Sequence, residues 1–195
     1  MPKKKEAAPT EEIVFPHHYY VCGADLSLRR PGFCLLEVDN KNGKANIVNV
    51  RLYSVDNKGK KNKTHGEILR EILYRFNKFL SCSKISDESS DGADEKFFFV
   101  REKMILNKKV PSERDVAKVV GIMDYYLESQ EWFEIYPVTV KRLVAGSGKA
   151  EKKDVADALL KYVGEQEYLN DDESDATAVA VAWLIQNHQI QEAQE

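Results

Sequence analysis

The sequence predicts an α/β fold: a mixed sheet of about five strands with helices on both faces. Two observations predict it. The first third of the chain holds three apolar runs separated by turn residues, the pattern of hairpin-linked strands. The remainder alternates short strand-like runs with apolar residues at helical spacing. The resulting order, β-β-β-α-β-α-β-α-α, suits one sheet covered on both sides.

Tyr19 to Ser27 reads as a buried strand, and Arg30-Pro31-Gly32 as the turn after it. Phe33 to Val38 is a second strand, closed by a hairpin loop at Asp39-Asn40-Lys41-Asn42-Gly43. Ala45 to Tyr53 forms the third strand, although Ile47, Val48, Val50 and Leu52 alternate imperfectly. The period then changes. Ile68, Leu69, Ile72, Leu73, Phe76, Phe79 and Leu80 mark an amphipathic helix, capped by Thr64 with Glu67 three residues on. Phe97 to Val100 is a strand running into Glu102, and Ser112 to Leu127 a helix. Trp132 to Val140 reads as a strand with Pro137 inside it, which points to an edge position or the strand's end. A Gly-rich loop, Ala145 to Lys149, leads to a helix from about Glu151 to Val163. The last helix begins near Asp171 or Asp172 and runs to about Asn187.

At 195 residues the chain suits one domain with a full core. Residues 1–16 are polar, carry three prolines and show no period, so they read as a disordered arm with His17 and His18 at its end. The folded domain is expected over 17–188 and a tail over 189–195. Cys22, Cys34 and Cys82 form neither a CxxC pair nor a His-rich cluster, which excludes the usual zinc and disulfide frameworks. Lys3, Lys4 and Lys5 are followed by polar residues where a signal peptide needs an apolar run. No stretch approaches the roughly 20 apolar residues of a membrane span. The expected location is therefore the cytoplasm, with no membrane partner.

The formal net charge is −3, yet the charge is segregated. Lys41 to Lys63 holds seven basic residues against one acid, and Lys141 to Lys153 five against one. Acid gathers at Asp87, Glu88, Asp91, Asp94 and Glu95. Separated basic patches bind phosphate even on a mildly acidic chain; two solvated loops would give the same count.

Four acids stand where core elements end. Asp25 closes an apolar strand, and Glu102 follows Phe97 to Val100 in the same way. Asp172 and Asp175, at i and i+3, extend the stripe formed by Ala176, Val179, Ala180, Trp183 and Leu184. Buried carboxylates are costly unless paired or bound to metal. A cluster of carboxylate oxygens suits Mg²⁺ or Mn²⁺ rather than Zn²⁺. Each acid alone has an ordinary alternative. Asp172 and Asp175 suit any helix N-terminus, Asp25 is near Arg29 and Arg30, and Glu102 is flanked by Arg101 and Lys103. The joint pattern argues for one site.

Three segments then carry a resemblance. Gly23-Ala24-Asp25-Leu26-Ser27 followed by Gly32-Phe33 resembles the G-x-D-x-S…G-F/Y opening of RuvC-type Holliday-junction resolvases, which have an RNase H-like fold. Val140-Lys141 with Val144 to Val155 resembles their V-K…G-x-G-x-A-x-K-x-x-V segment. Asp172-Glu173-Ser174-Asp175-Ala176 resembles their closing D-x-x-D-A helix, and Glu102 and Gly121 stand at the family's spacing. The similarity runs from about Tyr19 to Gln186. It implies a homodimeric, metal-dependent crossover junction endodeoxyribonuclease that nicks opposed strands of branched DNA. It implies that Asp25, Glu102, Asp172 and Asp175 bind two Mg²⁺ ions, with Asp25 the bridge. Lys152 would lie at the scissile phosphate, and Lys141 and Lys149 on the DNA backbone. Lys153, Lys60 and Lys61 are further DNA-binding candidates from the basic segments.

The chain also departs from the family. Met104 and Ile105 stand where an aromatic usually follows the second acid, leaving an apolar wedge against bases. The loops over 54–64 and 83–96 and the arm exceed what a minimal resolvase needs, as in a divergent, phage-type member. Three rival readings are weaker. A P-loop requires Gly at 143 and Ser or Thr at 150, where Leu143 and Ala150 stand, so no nucleotide cofactor is expected. An actin-like nucleotide-binding protein needs two such domains. A non-catalytic DNA-binding module need not keep all four acids. A nuclease for RNA–DNA hybrids or flaps shares the fold and stays open.

Overall fold

The computed structural model describes residues 13–41, 44–59, 62–81, 96–104, 111–128, 130 and 132–190. Five strands form one sheet: β1 (His18–Asp25), β2 (Gly32–Lys41), β3 (Lys44–Ser54), β4 (Lys96–Glu102) and β5 (Trp132–Ile135). Their order is β3-β2-β1-β4-β5. The first three pair as antiparallel neighbours, and β4 and β5 join in parallel. The helices are α1 (His65–Ser81), α2 (Pro111–Tyr126), α3 (Pro137–Ala145), α4 (Lys152–Val163) and α5 (Asp171–Gln186).

Both faces of the sheet are covered, which is why β1 reads as an unbroken apolar run. Tyr19 and Val21 face a core shared with α3, α4 and α5. Tyr20, Cys22 and Ala24 face a second core shared with α1 and α2. Helix α5 is buried on nearly every side from Ala176 to Ile185, the condition of a central helix. The imperfect alternation of β3 has a physical cause. Glu37 pairs with Asn49 and Val38 with Ile47, so Val48 is left over as a bulge and turns outward. The expected cap of α1 is present. Thr64 N–H donates to Glu67 Oε2 at 2.7 Å, and Glu67 N–H to Thr64 Oγ1 at 3.3 Å.

Three expectations need correction. The strand expected over Trp132 to Val140 ends at Ile135, and Pro137 opens α3 instead. Proline suits the first helical turn because its missing N–H has no partner there. Val140, Leu143 and Val144 then bury one face of a helix. The element order is therefore β-β-β-α-β-α-β-α-α-α. The arm expected over 1–16 is packed at its end: the Phe15 ring lies 5.2–5.6 Å from those of Tyr19, Phe98 and Trp183. His18 likewise belongs to β1, with Nε2 3.0 Å from Glu37 Oε1. At the other end, Gln189 accepts a hydrogen bond from Tyr19 and Ile190 packs on the core, so packing extends past 188. Trp132 and Trp183 are both buried.

Candidate active site

The candidate site, at one end of the sheet, is built around one row of residues. Ser54 on β3 pairs with Gly32 on β2, and Gly32 with Asp25 on β1. On the other side of β1, Ala24 pairs with Arg101, so Asp25 and Glu102 end adjacent parallel strands. Helix α5 crosses this corner almost in contact with the backbone. A Cβ on Gly32 would lie 2.0 Å from the Asp172 carbonyl oxygen, and one on Gly23 2.2 Å from that of Ala176. No side chain fits at either position, and these two glycines let the start of α5 lie on the strand ends. Asp172 and Asp175 are thereby brought beside Asp25.

The electrostatics record the crowding. Burial first, then the charges of Asp175, Glu102 and Asp172, push the Asp25 carboxyl up to about 7, against the pull of Lys152. Burial and Asp175 also raise Glu102, while Lys152 and Lys141 draw it down. Lys152 Nζ donates to Asp175 Oδ2. Burial disfavours the ammonium, but Asp175, Asp25 and Asp171 outweigh it and hold its pKa above the ordinary lysine value.

All four predicted acids thus fall in one cluster, with Lys152 inside it. Lys141 Nζ donates to the Ala150 carbonyl at 2.8 Å, and its charge acts on Glu102. Lys149 and Lys153 are exposed, the first in the loop after α3 and the second on α4. Met104 is half-buried just beyond β4. Lys60, Lys61 and Ile105 lie outside the described residues. Sequence reasoning missed the partner of Asp172: Arg30 Nε donates to its Oδ2. Arg30 stood out only as a neighbour of Asp25. The flanking basic residue of Glu102 turns elsewhere, since Arg101 spans Asp124 at 2.5 Å and Glu134 at 3.1 Å.

The donor set is all carboxylate oxygen, the preference of a hard divalent ion. A carboxyl held up to about 7 by burial and by its neighbours is one that a nearby cation would return to its charged form. Among the described residues no three acids are placed closely enough to hold one ion, and Arg30 engages Asp172 while Lys152 engages Asp175. The donor chemistry itself suits a hard divalent ion.

No family model matches the chain. The crossover junction endodeoxyribonuclease RuvC of Prochlorococcus marinus subsp. pastoris is 30% identical over 165 residues, covering 84% of this chain and 95% of its own. The chain belongs to the RuvC family. The RuvC of Ehrlichia ruminantium is 28% identical over 167 residues, with 84% and 95% covered. Among solved structures, Thermus thermophilus RuvC in complex with Holliday junction substrate superposes with a TM-score of 0.62 at 20% identity, covering 85% of this chain and 92% of that one. The RuvC fold thus accounts for the five-stranded sheet, and Asp25, Asp172 and Asp175 belong to segments that resemble the family's motifs, with Glu102 at the family's spacing.

Proposed function

We propose that this RuvC-family chain is a divalent-metal-dependent DNA endonuclease that resolves four-way junctions by paired nicks. The observation that carries the reading is the meeting of four carboxylates from β1, β4 and α5 at one corner of the sheet. Asp25, Glu102, Asp172 and Asp175 would hold the divalent metal, as two Mg²⁺ ions with Mn²⁺ able to replace them. When bound, the ions ease deprotonation of the attacking water and offset charge on the leaving oxygen. In the reaction the water oxygen bonds to phosphorus and the bond from phosphorus to O3′ breaks. O3′ leaves with a proton, giving 5′-phosphate and 3′-hydroxyl ends.

Lys152 offsets the charge that grows on the phosphate oxygens. It is supported in this role by its place between Asp175 and Asp25. Lys141, pinned to the Ala150 carbonyl, steadies Glu102. Exposed Lys149 and Lys153 contact backbone phosphates beside the site, Lys60 and Lys61 are further DNA-binding residues, and Met104 with Ile105 offers an apolar wedge against bases. A homodimer supplies one such centre to each of two opposed strands, and the enzyme acts in the cytoplasm. Among the described residues no helix is long and apolar enough to cross a membrane.

The test is cleavage of a synthetic four-way DNA junction with and without Mg²⁺, beside linear duplex, flap and RNA–DNA hybrid. Paired symmetric nicks confined to the junction and dependent on Mg²⁺ are expected. Cleavage of hybrid or flap with no junction preference would overturn the substrate assignment.

A further inference from the structure

Between the two acids of α5 that face Asp25 lies a third acid that does not. Glu173 is 1% exposed and points away from the cluster, toward the end of β3. Its two carboxylate oxygens have separate partners: Ser54 Oγ donates to Oε1 at 2.8 Å, and Leu169 N–H to Oε2 at 2.9 Å. Asn170 closes the ring. Its Nδ2 donates to Ser54 Oγ at 2.8 Å, while its Oδ1 accepts from the Asp172 and Glu173 N–H groups at 3.0 and 3.3 Å. Three pieces of chain are joined: the last residue of β3, the loop before α5 and the first turn of α5.

The sheet register gives this ring its meaning. Ser54, Gly32 and Asp25 stand side by side on three neighbouring strands. The first turn of α5 straddles that row, with the Asp172 backbone directly over Gly32. Glu173 therefore grips the row on the Ser54 side, and Asp172 and Asp175 reach over the Asp25 side. A buried carboxylate is retained only where its lone pairs are satisfied, and here its hydrogen bonds fix the helix start in position and in rotation.

We infer that Glu173, through Ser54 and Asn170, is a positioning residue that sets how Asp172 and Asp175 meet Asp25, and so sets the affinity of the centre for divalent metal. The inference rests on the four-acid reading of the site. Groups that orient metal ligands commonly govern affinity by about 10–100-fold. Glu173→Gln keeps the shape and retains one acceptor and one donor for the same partners. Glu173→Ala removes both contacts. Ser54→Ala removes only the bridging hydroxyl, at a half-buried strand end.

The experiment is Mn²⁺ binding to the DNA-free protein, read by calorimetry, with cleavage kinetics run in parallel. Glu173→Ala and Ser54→Ala are expected to weaken Mn²⁺ binding by about tenfold or more, with Glu173→Gln close to the native protein. Junction affinity in EDTA should be unchanged in all three, so the loss appears in kcat and in metal demand rather than in KM. If Glu173→Ala does not fold, Ser54→Ala carries the test. Native Mn²⁺ affinity in Ser54→Ala, or in a folded Glu173→Ala, would overturn the inference. A native protein that binds Mn²⁺ but cleaves no junction would instead sink the functional reading and leave this comparison intact.

Discussion

Removing the charge of Asp25 should make the metal-free protein more stable, and the gain should depend on pH. The folded Asp25 carboxyl sits at about 7, against an ordinary value of 3.8, because burial and three neighbouring carboxylates oppose its ionisation. Between those two values the folded chain keeps a proton that the unfolded chain has released. Folding stability therefore falls as pH rises through that window and levels off above it. Each tenfold change in the ionisation constant corresponds to about 1.4 kcal/mol, so the ceiling at pH 8 is about 4 kcal/mol. Solvent on the open side of the cluster and proton sharing among the four acids reduce this, and about 1–2 kcal/mol is expected. Asp25→Asn carries no such charge. In urea titrations with EDTA, its advantage over the native protein should be small near pH 5 and grow to that size by pH 8. Added Mg²⁺ should stabilise the native protein and leave the variant nearly unaffected. A variant no more stable than the native protein at pH 8, or an advantage that shrinks as pH rises, would refute the reasoning.

Further predictions concern the neighbours of the acids. Lys152→Met should slow single-turnover junction cleavage by at least about 100-fold while junction affinity in EDTA stays within a few-fold, since the lost charge acts on the reacting phosphate; equal losses in binding and cleavage would place it on the DNA backbone instead. Gly32→Ala forces a methyl into the Asp172 carbonyl, and the shift of α5 should cost about 2 kcal/mol or more in urea unfolding and abolish cleavage; native stability would contradict the close approach. The double variant Lys60→Ala, Lys61→Ala should weaken junction binding and flatten its dependence on log salt by about 2, as measured by filter binding, with no change in cleavage rate once the junction is saturated.

Much of this was legible because the signals are local. Asp25 and Glu102 each interrupt an apolar strand, and the spacing of Asp172 and Asp175 continues the buried stripe of α5. What was not legible depends on side chains meeting across the chain. Helix α3 was hidden because Val138, Thr139 and Val140 are β-branched and follow a real strand, so Pro137 read as a strand's end rather than a helix start. Glu173 lies in the same turn as two site acids, and only its contact with Ser54, 119 positions away, separates its role from theirs. Arg30 and Lys141 carry charges that sequence cannot aim: one turns to Asp172 and the other to the Ala150 carbonyl. Phe15 reads as arm because a lone aromatic has no period, yet it packs against both Phe98 and Trp183.

Asp25, Glu102, Asp172 and Asp175 are proposed to form one metal centre acting on branched DNA. The most direct test is to change each acid singly to its amide and measure both Mg²⁺-dependent nicking of a four-way junction and junction binding in EDTA. All four variants should bind the junction as the native protein does, and none should nick it at more than a small fraction of the native rate. One variant that nicks at the native rate would remove that acid from the centre, and native nicking by Asp25→Asn would contradict the account as a whole.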